Sequence, residues 1–490
     1  MMNLEDSVSS YSWARVVDFF VDLLPLKELG FTDELNKEGR PPFHSSDLLK
    51  LYMYGYRNGI RSSRKLEKAC QVNLEVMWLL NGLRPSARKI AYFRKNNSKA
   101  FKQAFRYFVL ALKEMKLIDG QTIAIDSFKI RAQNSLKNNY NQKKVDRHLK
   151  YIDGQIEKYE SELNASDDIA EQEELSQKIK VQHERKGKYE EVEKELNTTG
   201  VKQISKTDPD AKAVILHRGI VNVGYNIQAA TDHKYKLFIN VQTGSVNDTH
   251  ALYPMALEAK ELLGRKRMKV IADKGYTTAE QIAKCSAENI ITYCSPKEHS
   301  SPNNGLYPMK DFVYNKRKDT YTCPAGAALK TNGNYYKKGK HQVKHYKTKS
   351  CKGCSLRDKC TKNKNGRFIE RGYYHEELEK NAKRVKGNPE YYKQRQQITE
   401  HQFGTLKRQW GFTYTLMKGK ENVLAEVSLG MMCYNLVRMM SIYDLKSLKK
   451  ALKRAFFHFF QYVACFKLVT ATKILRILLL WYSELKLCRA

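Results

Sequence analysis

The sequence predicts a mixed α/β protein with an all-α region at its N-terminus and two inserted segments. Three observations support this class. Apolar, strand-like runs alternate with helical periodicity between about residues 120 and 295. The preceding residues show only helix signals, and two lysine-rich segments interrupt the α/β pattern. A chain of 490 residues has room for roughly two to four such domains.

Residues 1–115 are predicted to form a helical, DNA-binding domain. A helix is expected over Asp47–Asn58, Ser62 or Ser63 is placed to cap a second helix, and Ser86 to cap a third. Basic side chains gather near the third helix, as in helix-turn-helix units that read DNA. An ordinary helical bundle with a solvated basic face explains the pattern equally well. The DNA contacts predicted in this region are Arg84, Arg88, Lys89 and Arg94.

An α/β domain is predicted over residues 116–295 and 386–445. Helices are expected at 250–263 and 278–286, and again at 389–410 and 424–440. The segments between these helices have the apolar pattern of β-strands. One acid, Asp126, lies inside the first strand, and another, Asp273, ends a later one. The predicted strands are 121–130, 214–224, 225–231, 237–244, 268–273 and 289–294.

Two segments are predicted to interrupt this domain, and a third to follow it. Residues 141–198 carry apolar side chains three and four apart on either side of a polar break, which predicts a helical hairpin. Its expected role is structural, as an arm or a dimer contact. Residues 296–385 form a Lys- and Cys-rich insertion with little periodicity, and residues 446–490 a hydrophobic helical tail of unknown role.

The net charge is the most informative compositional feature. There are 87 Lys and Arg residues against 52 Asp and Glu residues, a formal charge of +35. Such a surplus favours a polyanionic partner, because each neutralised phosphate releases counterions. Nucleic acid is the first candidate, a membrane surface the second, and a merely basic protein the third. We expect no secretory signal and no membrane-spanning segment.

Asp126 and Asp273 are the acids whose surroundings suggest chemistry. Asp126 is flanked by apolar residues, and a carboxylate in such a run is costly to bury unless it is paired, hydrogen-bonded or metal-bound. Two divalent ions held by carboxylates activate water for phosphodiester cleavage. A structural aspartate is an equally good reading of the pattern alone. We interpret Asp248 as a helix N-cap, and Asp208 and Asp210 as turn residues.

A group of cysteines stands apart within the insertion. A structural Zn²⁺ site needs four ligands, and the CxxC pair is its usual half-site. A segment with little apolar core gains order from a metal, so bound Zn²⁺ is favoured over idle thiols. Other cysteines, such as Cys70, Cys285 and Cys433, are interpreted as core residues. The predicted Zn²⁺ ligands are Cys323, Cys351, Cys354 and Cys360.

Blocks spread over residues 38–442 resemble the DDE transposases of bacterial insertion sequences, of the IS-eleven-eighty-two type within the IS-four/IS-five-like group. The order and spacing of the blocks make the resemblance specific. They are residues 39–70 and 82–97, AIDSFKIRAQNS (124–135), TDPDA (207–211), VGYNIQAATD (223–232), VIADKGY (270–276), YYKQRQQITEHQFGTLKRQWGF (391–412) and AEVSLGMMCYNLVRMM (425–440).

The resemblance implies a ribonuclease-H-like mixed sheet whose catalytic, metal-binding triad is Asp126, Asp273 and Glu400, holding Mg²⁺ or Mn²⁺. It also implies DNA contacts by residues of the glutamate block. The family signature Tyr-x2-Arg-x3-Glu-x6-Lys is matched except that four residues, not three, separate its Arg and Glu here. The implied DNA contacts are Tyr392, Arg395, Lys407 and Arg408.

The function implied is that of an insertion-sequence transposase. It binds terminal inverted repeats and catalyses metal-dependent strand cleavage and strand transfer. The expected partners are double-stranded DNA, as element ends and target, and further copies of the chain in a homodimer or larger assembly, with no membrane. The expected location is the bacterial cytoplasm, at the nucleoid. Two alternatives remain open: an inactive, element-derived DNA-binding protein, and a structure-selective ribonuclease-H-like nuclease.

Overall fold

A computed structural model describes residues 3–32, 43–216, 219–297, 305–339 and 341–457. The chain divides into two compact units. Unit 1 comprises residues 1–119, 127–247 and 399–490, and unit 2 comprises residues 120–126 and 248–398. The domain boundaries given above stay a prediction, and the part of the predicted hydrophobic tail from residue 458 onward lies outside the described residues.

Helices open unit 1, as predicted. Two of the predicted caps are confirmed: the Ser62 hydroxyl accepts a hydrogen bond from the Lys65 amide at 3.3 Å, and Ser86 accepts one from Lys89 at 3.4 Å. These caps pair amides that the first turn leaves without an intrahelical partner. The helices are α1 (Leu4–Ser7), α2 (Trp13–Asp22), α3 (Ser45–Arg57), α4 (Ser63–Val72), α5 (Leu74–Leu79), α6 (Ala87–Asn96) and α7 (Ser98–Glu114).

The first predicted strand and the helical hairpin are both confirmed. Strand β1 (Thr122–Arg131) runs through both units. The hairpin is held together at its base by a small apolar cluster that includes Val145, Val192 and Leu196. It consists of β2 (Asn139–Tyr140), α8 (Gln142–Ala165), α9 (Ile169–Thr199) and β3 (Ile204–Ser205), with β2 and β3 antiparallel.

An antiparallel set of strands follows in unit 1. Strand β5 lies between β4 and β1, and β6 also pairs with β5. The predicted division into strands 214–224 and 225–231 is wrong, because one strand ends at Ile215 and β5 continues through Gly224. An added Cβ there would collide with the Ile130 carbonyl oxygen, so the glycine allows close approach of two backbones instead of a turn. The strands are β4 (Lys212–Ile215), β5 (Val221–Asp232) and β6 (Phe238–Thr243).

Unit 2 contains the parallel part of the sheet. Strand β7 lies between β1 and β8 and is parallel to both. The alternation of strands and helices is as predicted, and the mixed α/β class is confirmed. The elements are α10 (Leu252–Leu262), β7 (Met268–Ala272), α11 (Ala279–Ala287) and β8 (Ile290–Cys294).

The predicted insertion has more regular structure than its sequence indicates. It contains two three-stranded antiparallel sheets, β9–β10–β11 and β12–β13–β14, around a core that includes Tyr321, Leu329 and Tyr346. Strands of three to six residues are too short to show clear alternation. The elements are β9 (Val313–Asn315), β10 (Thr320–Thr322), β11 (Ala328–Lys330), β12 (Tyr335–Lys338), β13 (His341–Tyr346), α12 (Arg357–Cys360), β14 (Ile369–Gly372) and α13 (His375–Gly387).

Three helices complete the described fold, the last of them over residues 445–457, where the helical tail was predicted to begin. Helix α14 (Pro389–Gly404) continues into a π-helical turn at Thr405–Gln409, and α15 (Lys420–Met440) follows. By length and composition α15 alone among the described helices is apolar enough to cross a membrane, but 83% of its apolar window is buried. It contacts α3, α7 and β6 within unit 1, and Asn435 hydrogen-bonds both the amide and the carbonyl of Phe238.

A buried ion pair joins the N-terminal helices to α15. The side chains of Arg61 and Glu426 are only 4% and 1% exposed and their N–O distance is 2.6 Å. Arg61 also donates to the carbonyls of Gly411 and Tyr414. Glu426 accepts the amides of Leu416 and Met417 at 2.9 and 3.2 Å. The loop after the π turn is therefore fixed from two sides.

Candidate active site

The structure brings Asp126 and Asp273 together within unit 2. Residues Thr122–Ile125 of β1 pair in parallel with Lys269–Ala272 of β7, so Ile125 lies beside Ala272. Each aspartate is the next residue of its chain, and neighbouring strands lie about 4.8 Å apart. Two acids far apart in sequence thus occupy matching positions, as strand prediction alone suggested.

Asp126 is held by an ion pair with Arg395. The distance from the Arg395 guanidinium to the Asp126 carboxylate is 2.8 Å, and the two side chains are 18% and 20% exposed. The Tyr391 hydroxyl on the same helix lies 2.9 Å from the Thr122 hydroxyl at the start of β1. Arg395 was predicted to contact DNA; here its charge is directed to a candidate metal ligand.

Tyr392 was also predicted to contact DNA. It is partly buried and packs against an apolar cluster formed by Ala124, Ile271, Tyr293 and Ile398. This packing sets the position of the first turns of α14 in unit 2. The ring therefore has a structural role that the spacing of the glutamate block did not reveal.

Asp273 ends β7 and caps the short 3-10 turn that follows. Its carboxylate accepts the Gly275 amide at 2.7 Å. A Cβ added to Gly275 would lie 2.9 Å from an Asp273 carboxylate oxygen and 3.4 Å from one of Asp248. The two carboxylates therefore flank the same glycine. Only a residue without a side chain fits at this position.

The prediction that Asp248 caps a helix is wrong. The N-cap position of α10 is Ala251, whose amide donates to the Asp248 backbone carbonyl. The loop is anchored to α11, because the Thr278 hydroxyl donates to the Thr249 carbonyl at 3.2 Å. Asp248 is a site residue that sequence reasoning missed. Its signal was an acid shortly after a buried strand, the pattern that singled out Asp273.

Asp208 is likewise more than the predicted turn residue. Its side chain is fully buried and accepts hydrogen bonds from the Tyr225 hydroxyl at 2.8 Å and from the Gly419 amide at 3.2 Å. Burial is the first cause that raises the pKa of Tyr225, and the Asp208 carboxylate raises it further. Asp208 is therefore a structural carboxylate of unit 1, satisfied by two donors.

Glu400 is an exposed residue of α14 in the part of that helix that belongs to unit 1. It lies five residues after Arg395, which is about 140° around a helix at 3.6 residues per turn. Among the described residues, no three His, Cys, Asp or Glu side chains form a group that could hold a metal ion. Participation of Glu400 in a triad stays a prediction.

The predicted basic contacts differ in accessibility. Lys407 is partly buried with its ammonium 5.7 Å from the Phe128 ring centroid, and desolvation, followed by repulsion from Lys129, lowers its pKa. Arg408 is exposed. Around α6, the side chains that are exposed as predicted are Arg84, Arg88 and Lys89.

Arg94 is the exception, and its assignment as a DNA contact is wrong. Its side chain is 6% exposed and donates to the Arg61 carbonyl at 3.2 Å, with its guanidinium 5.4 Å from the Tyr52 ring centroid. A helical position one turn away from exposed arginines gave no indication of this burial. The residue stabilises the helical core instead of facing a partner.

The four cysteines of the insertion line one cavity in unit 2, and all four are free thiols. Burial raises the pKa of the Cys360 thiol, Arg367 opposes that rise, and the three other thiols add to it. Gly366, at φ +86°, packs so tightly that an added Cβ would lie 2.6 Å from the Cys351 Cβ. Thiolates are ligands that Zn²⁺ prefers, but these four do not form a metal-holding group among the described residues, so bound Zn²⁺ stays a prediction.

The buried cysteines outside this cluster are as predicted. Cys70, Cys285 and Cys433 are each at most 1% exposed. Desolvation raises the pKa of all three thiols, to about 11 for Cys70 and about 12 for Cys285. They are inert core residues.

A family model described as a transposase DDE domain matches residues 322–440, and one described as a transposase domain (DUF772) matches residues 2–96. None of the curated proteins matches. One similar solved chain comes from a cryo-EM structure of a piggyBac transposase synaptic complex with hairpin DNA. It is 9% identical, with 91% of this chain and 79% of that chain covered, at a TM-score of 0.33.

That structural likeness is too low to support an inference. The two family matches are independent of it and lie in different parts of the chain. Neither spans half of the sequence, but both describe transposase domains. The chain functions as a transposase and carries a transposase DDE domain.

Proposed function

We propose that this protein is the transposase of a bacterial insertion sequence of the IS-eleven-eighty-two type. It binds the terminal inverted repeats of its element and catalyses metal-dependent strand cleavage followed by strand transfer. The proposed catalytic core is ribonuclease-H-like. The observation that carries the proposal is the matched position of Asp126 and Asp273 on neighbouring parallel strands.

The proposed metal site is built on that pair. Two carboxylates one strand spacing apart, on rigid elements, suit Mg²⁺ or Mn²⁺, which take oxygen ligands and leave positions for substrate phosphate. Glu400 is proposed to complete the triad. When bound, divalent ions supply an activated nucleophile and charge stabilisation for phosphodiester cleavage and transesterification.

Arg395 and Asp248 give this site two further charged groups. Arg395 neutralises Asp126 at 2.8 Å, so a cation that binds Asp126 competes with the guanidinium for the carboxylate. The carboxylate of Asp248, beside Gly275 and Asp273, adds negative charge on the other side. We propose that Arg395 holds Asp126 in position before the metal enters.

The exposed basic residues are proposed to hold DNA phosphates. Positions around α6 and the π turn present cations without a buried role, and phosphate contacts orient a protein on DNA without reading its sequence. Two element ends must be joined in one reaction, which favours a homodimer or larger assembly at the bacterial nucleoid. The proposed contacts are the exposed Arg84, Arg88, Lys89 and Arg408, together with the partly buried Lys407.

The cysteine cavity is proposed to hold structural Zn²⁺. Four thiols line it, and a metal there would order the loops that carry them. The proposed role of the Zn²⁺ is to order the insertion, and DNA strand cleavage and transfer do not depend on it. Measurement of zinc bound per chain, in wild type beside Cys354→Ser, tests this assignment.

The test of function is strand cleavage on duplexes that carry the ends of the element, with Mg²⁺. Asp126→Asn, Asp273→Asn and Glu400→Gln are each expected to lower the cleavage rate at least about 1,000-fold while still binding the duplex. Asp167→Asn, an exposed acid of the hairpin turn, is the matched control and should cleave like wild type. Cleavage by Asp273→Asn at the wild-type rate would exclude the proposed site.

The products separate the alternatives. An inactive DNA-binding derivative gives no cleavage in wild type. A structure-selective nuclease cuts branched DNA without terminal repeats and yields no strand-transfer product. The proposed function requires cleavage at the repeat end and a joined product with target DNA.

A further inference from the structure

The sheet β12–β13–β14 of unit 2 has two different faces. Cross-strand partners share a face, and Tyr346 pairs with Ile369. Both are fully or almost fully buried in the core of the insertion. The residues that alternate with them, among them Tyr336 and His345, belong to the opposite face.

Three rings lie side by side on that opposite face. Tyr336 stacks on His345 with centroids 4.3 Å apart and planes 4° from parallel, and His345 meets Phe368 edge-on at 4.5 Å. Tyr336 and Phe368 are still 39% and 37% exposed. The Tyr336 hydroxyl accepts a hydrogen bond from Asn332 at 2.7 Å, which restrains its ring. We call Tyr336, His345 and Phe368 the aromatic face.

Lysines border the aromatic face. Lys330 and Lys347 are direct cross-strand neighbours, joined by backbone hydrogen bonds of 2.8 and 3.0 Å, and both are exposed. The Lys347 ammonium lies 5.6 Å from the Phe368 ring centroid. Over the ranges that the structure describes, neither of these two lysines has an ion-pair partner. The nearby acid Glu370 is already paired with Lys338.

This arrangement is unfavourable in the absence of a partner. Like charges directly opposite each other on a sheet destabilise it, and exposed rings bury little apolar surface. A polyanion relieves the repulsion between the lysines, because it places phosphates beside Lys330 and Lys347. A flat π system covers the exposed rings by stacking on them. Unpaired DNA offers both groups together, whereas a duplex keeps the faces of its bases inside.

We propose that the aromatic face binds unpaired nucleotides of a DNA strand, with bases stacked on Tyr336 and Phe368 and phosphates held by Lys330 and Lys347. This inference rests on the proposed function, since strands with unpaired bases arise where a transposase opens DNA. The stacked His345 keeps the other two rings at a fixed spacing. The site binds without reading sequence, because every base has a π face.

The test measures the affinity of the full chain for a fluorescein-labelled thymidine oligonucleotide by fluorescence anisotropy. The double variant Tyr336→Leu/Phe368→Leu keeps apolar volume but removes both rings. It is expected to bind the single strand at least about 10-fold more weakly, while affinity for a duplex of equal length changes less than about twofold. Tyr151→Leu, 56% exposed on α8, is the matched control and should bind like wild type.

A second variant tests the lysines. Lys330→Gln/Lys347→Gln should reduce the slope of log affinity against log salt by about 1.4 for the single strand, at about 0.7 per phosphate contact. Circular dichroism and thermal unfolding of each variant check that it folds. The aromatic variant Tyr336→Trp retains a ring and should retain affinity.

Two outcomes would overturn the proposal. One is wild-type single-strand affinity in the double leucine variant. The other is an equal loss on single strands and duplexes, which would make the face a general phosphate contact. Asp273→Asn is expected to bind the thymidine oligonucleotide like wild type but not to cleave duplexes that carry the element ends. The proposal for the aromatic face is therefore tested by binding of the oligonucleotide, and the proposed function is tested separately by cleavage of the duplex.

Discussion

Removal of the buried guanidinium of Arg61 should be one of the most damaging single changes in unit 1. In Arg61→Leu the Glu426 carboxylate keeps only the amides of Leu416 and Met417, at 2.9 and 3.2 Å. The carboxylate is 1% exposed, so water cannot replace the lost partner. Breaking a buried pair by removing one member costs about 3–5 kcal/mol. The carbonyl of Tyr414 loses its donor as well.

Thermal unfolding followed by circular dichroism measures this cost. Unit 1 has roughly 330 residues, and an unfolding entropy of about 2.1 cal/mol/K per residue gives about 1.4 °C per kcal/mol, so its melting temperature should fall by at least about 4 °C. The double variant Arg61→Leu/Glu426→Leu removes the uncompensated charge and should recover part of that loss.

The matched control is Glu174→Gln, which breaks the exposed pair between Glu174 and Lys178 on α9, 67% and 45% exposed. Solvent screens that pair, so its loss should not shift the melting temperature measurably. If Arg61→Leu melts within about 2 °C of wild type, or if the double variant is no more stable than Arg61→Leu, the charge argument is refuted.

Three further predictions concern the site and the insertion. Arg395→Gln should bind Mn²⁺ several-fold more tightly, because the cation that competes for Asp126 is gone; calorimetry showing equal or weaker binding would contradict this. Gly275→Ala should lower strand cleavage about 10-fold or more with little change in melting temperature, since its methyl group would lie 2.9 Å from Asp273, and a wild-type rate would contradict the placement of that carboxylate. Burial raises the pKa of Asp319, but hydrogen bonds from one lysine and two tyrosines outweigh it and hold the pKa at about 2. A depressed carboxyl pKa stabilises above the unfolded value of about 3.9, so Asp319→Asn should lower the melting temperature at pH 7, and its gap to wild type should narrow as pH falls from 4 toward 2; a constant gap would argue against the ionised carboxylate.

Helix signals and long apolar strands were predicted well. Ser62 and Ser86 cap the helices that they were expected to cap, since capping depends only on neighbouring residues. The hairpin was recognised from its spacing for the same reason. Gly224 misled the prediction, because its role is close approach to β1, a strand about 90 positions earlier in sequence.

In the site, too, the features that depend on neighbouring residues were predicted, and those that depend on distant residues were not. Asp126 and Asp273 each follow an apolar run, and neighbouring strands could be expected to bring them together; the structure shows that these strands are parallel. Asp248 and Arg395 were assigned other roles, because their partners come from distant segments. Arg94 was taken for a surface cation, although the packing of α6 buries it.

By itself, the sequence determined the mixed α/β class, the helical N-terminal region, the hairpin, and the two aspartates that follow apolar runs. These depend on local periodicity and capping, which act over a few residues. Only the tertiary structure decided that Arg395 pairs with Asp126, that Asp248 flanks Gly275, and that rings and lysines of the insertion share one face of a sheet. Such contacts join residues that are close only after folding, and short-range patterns carry no information about them.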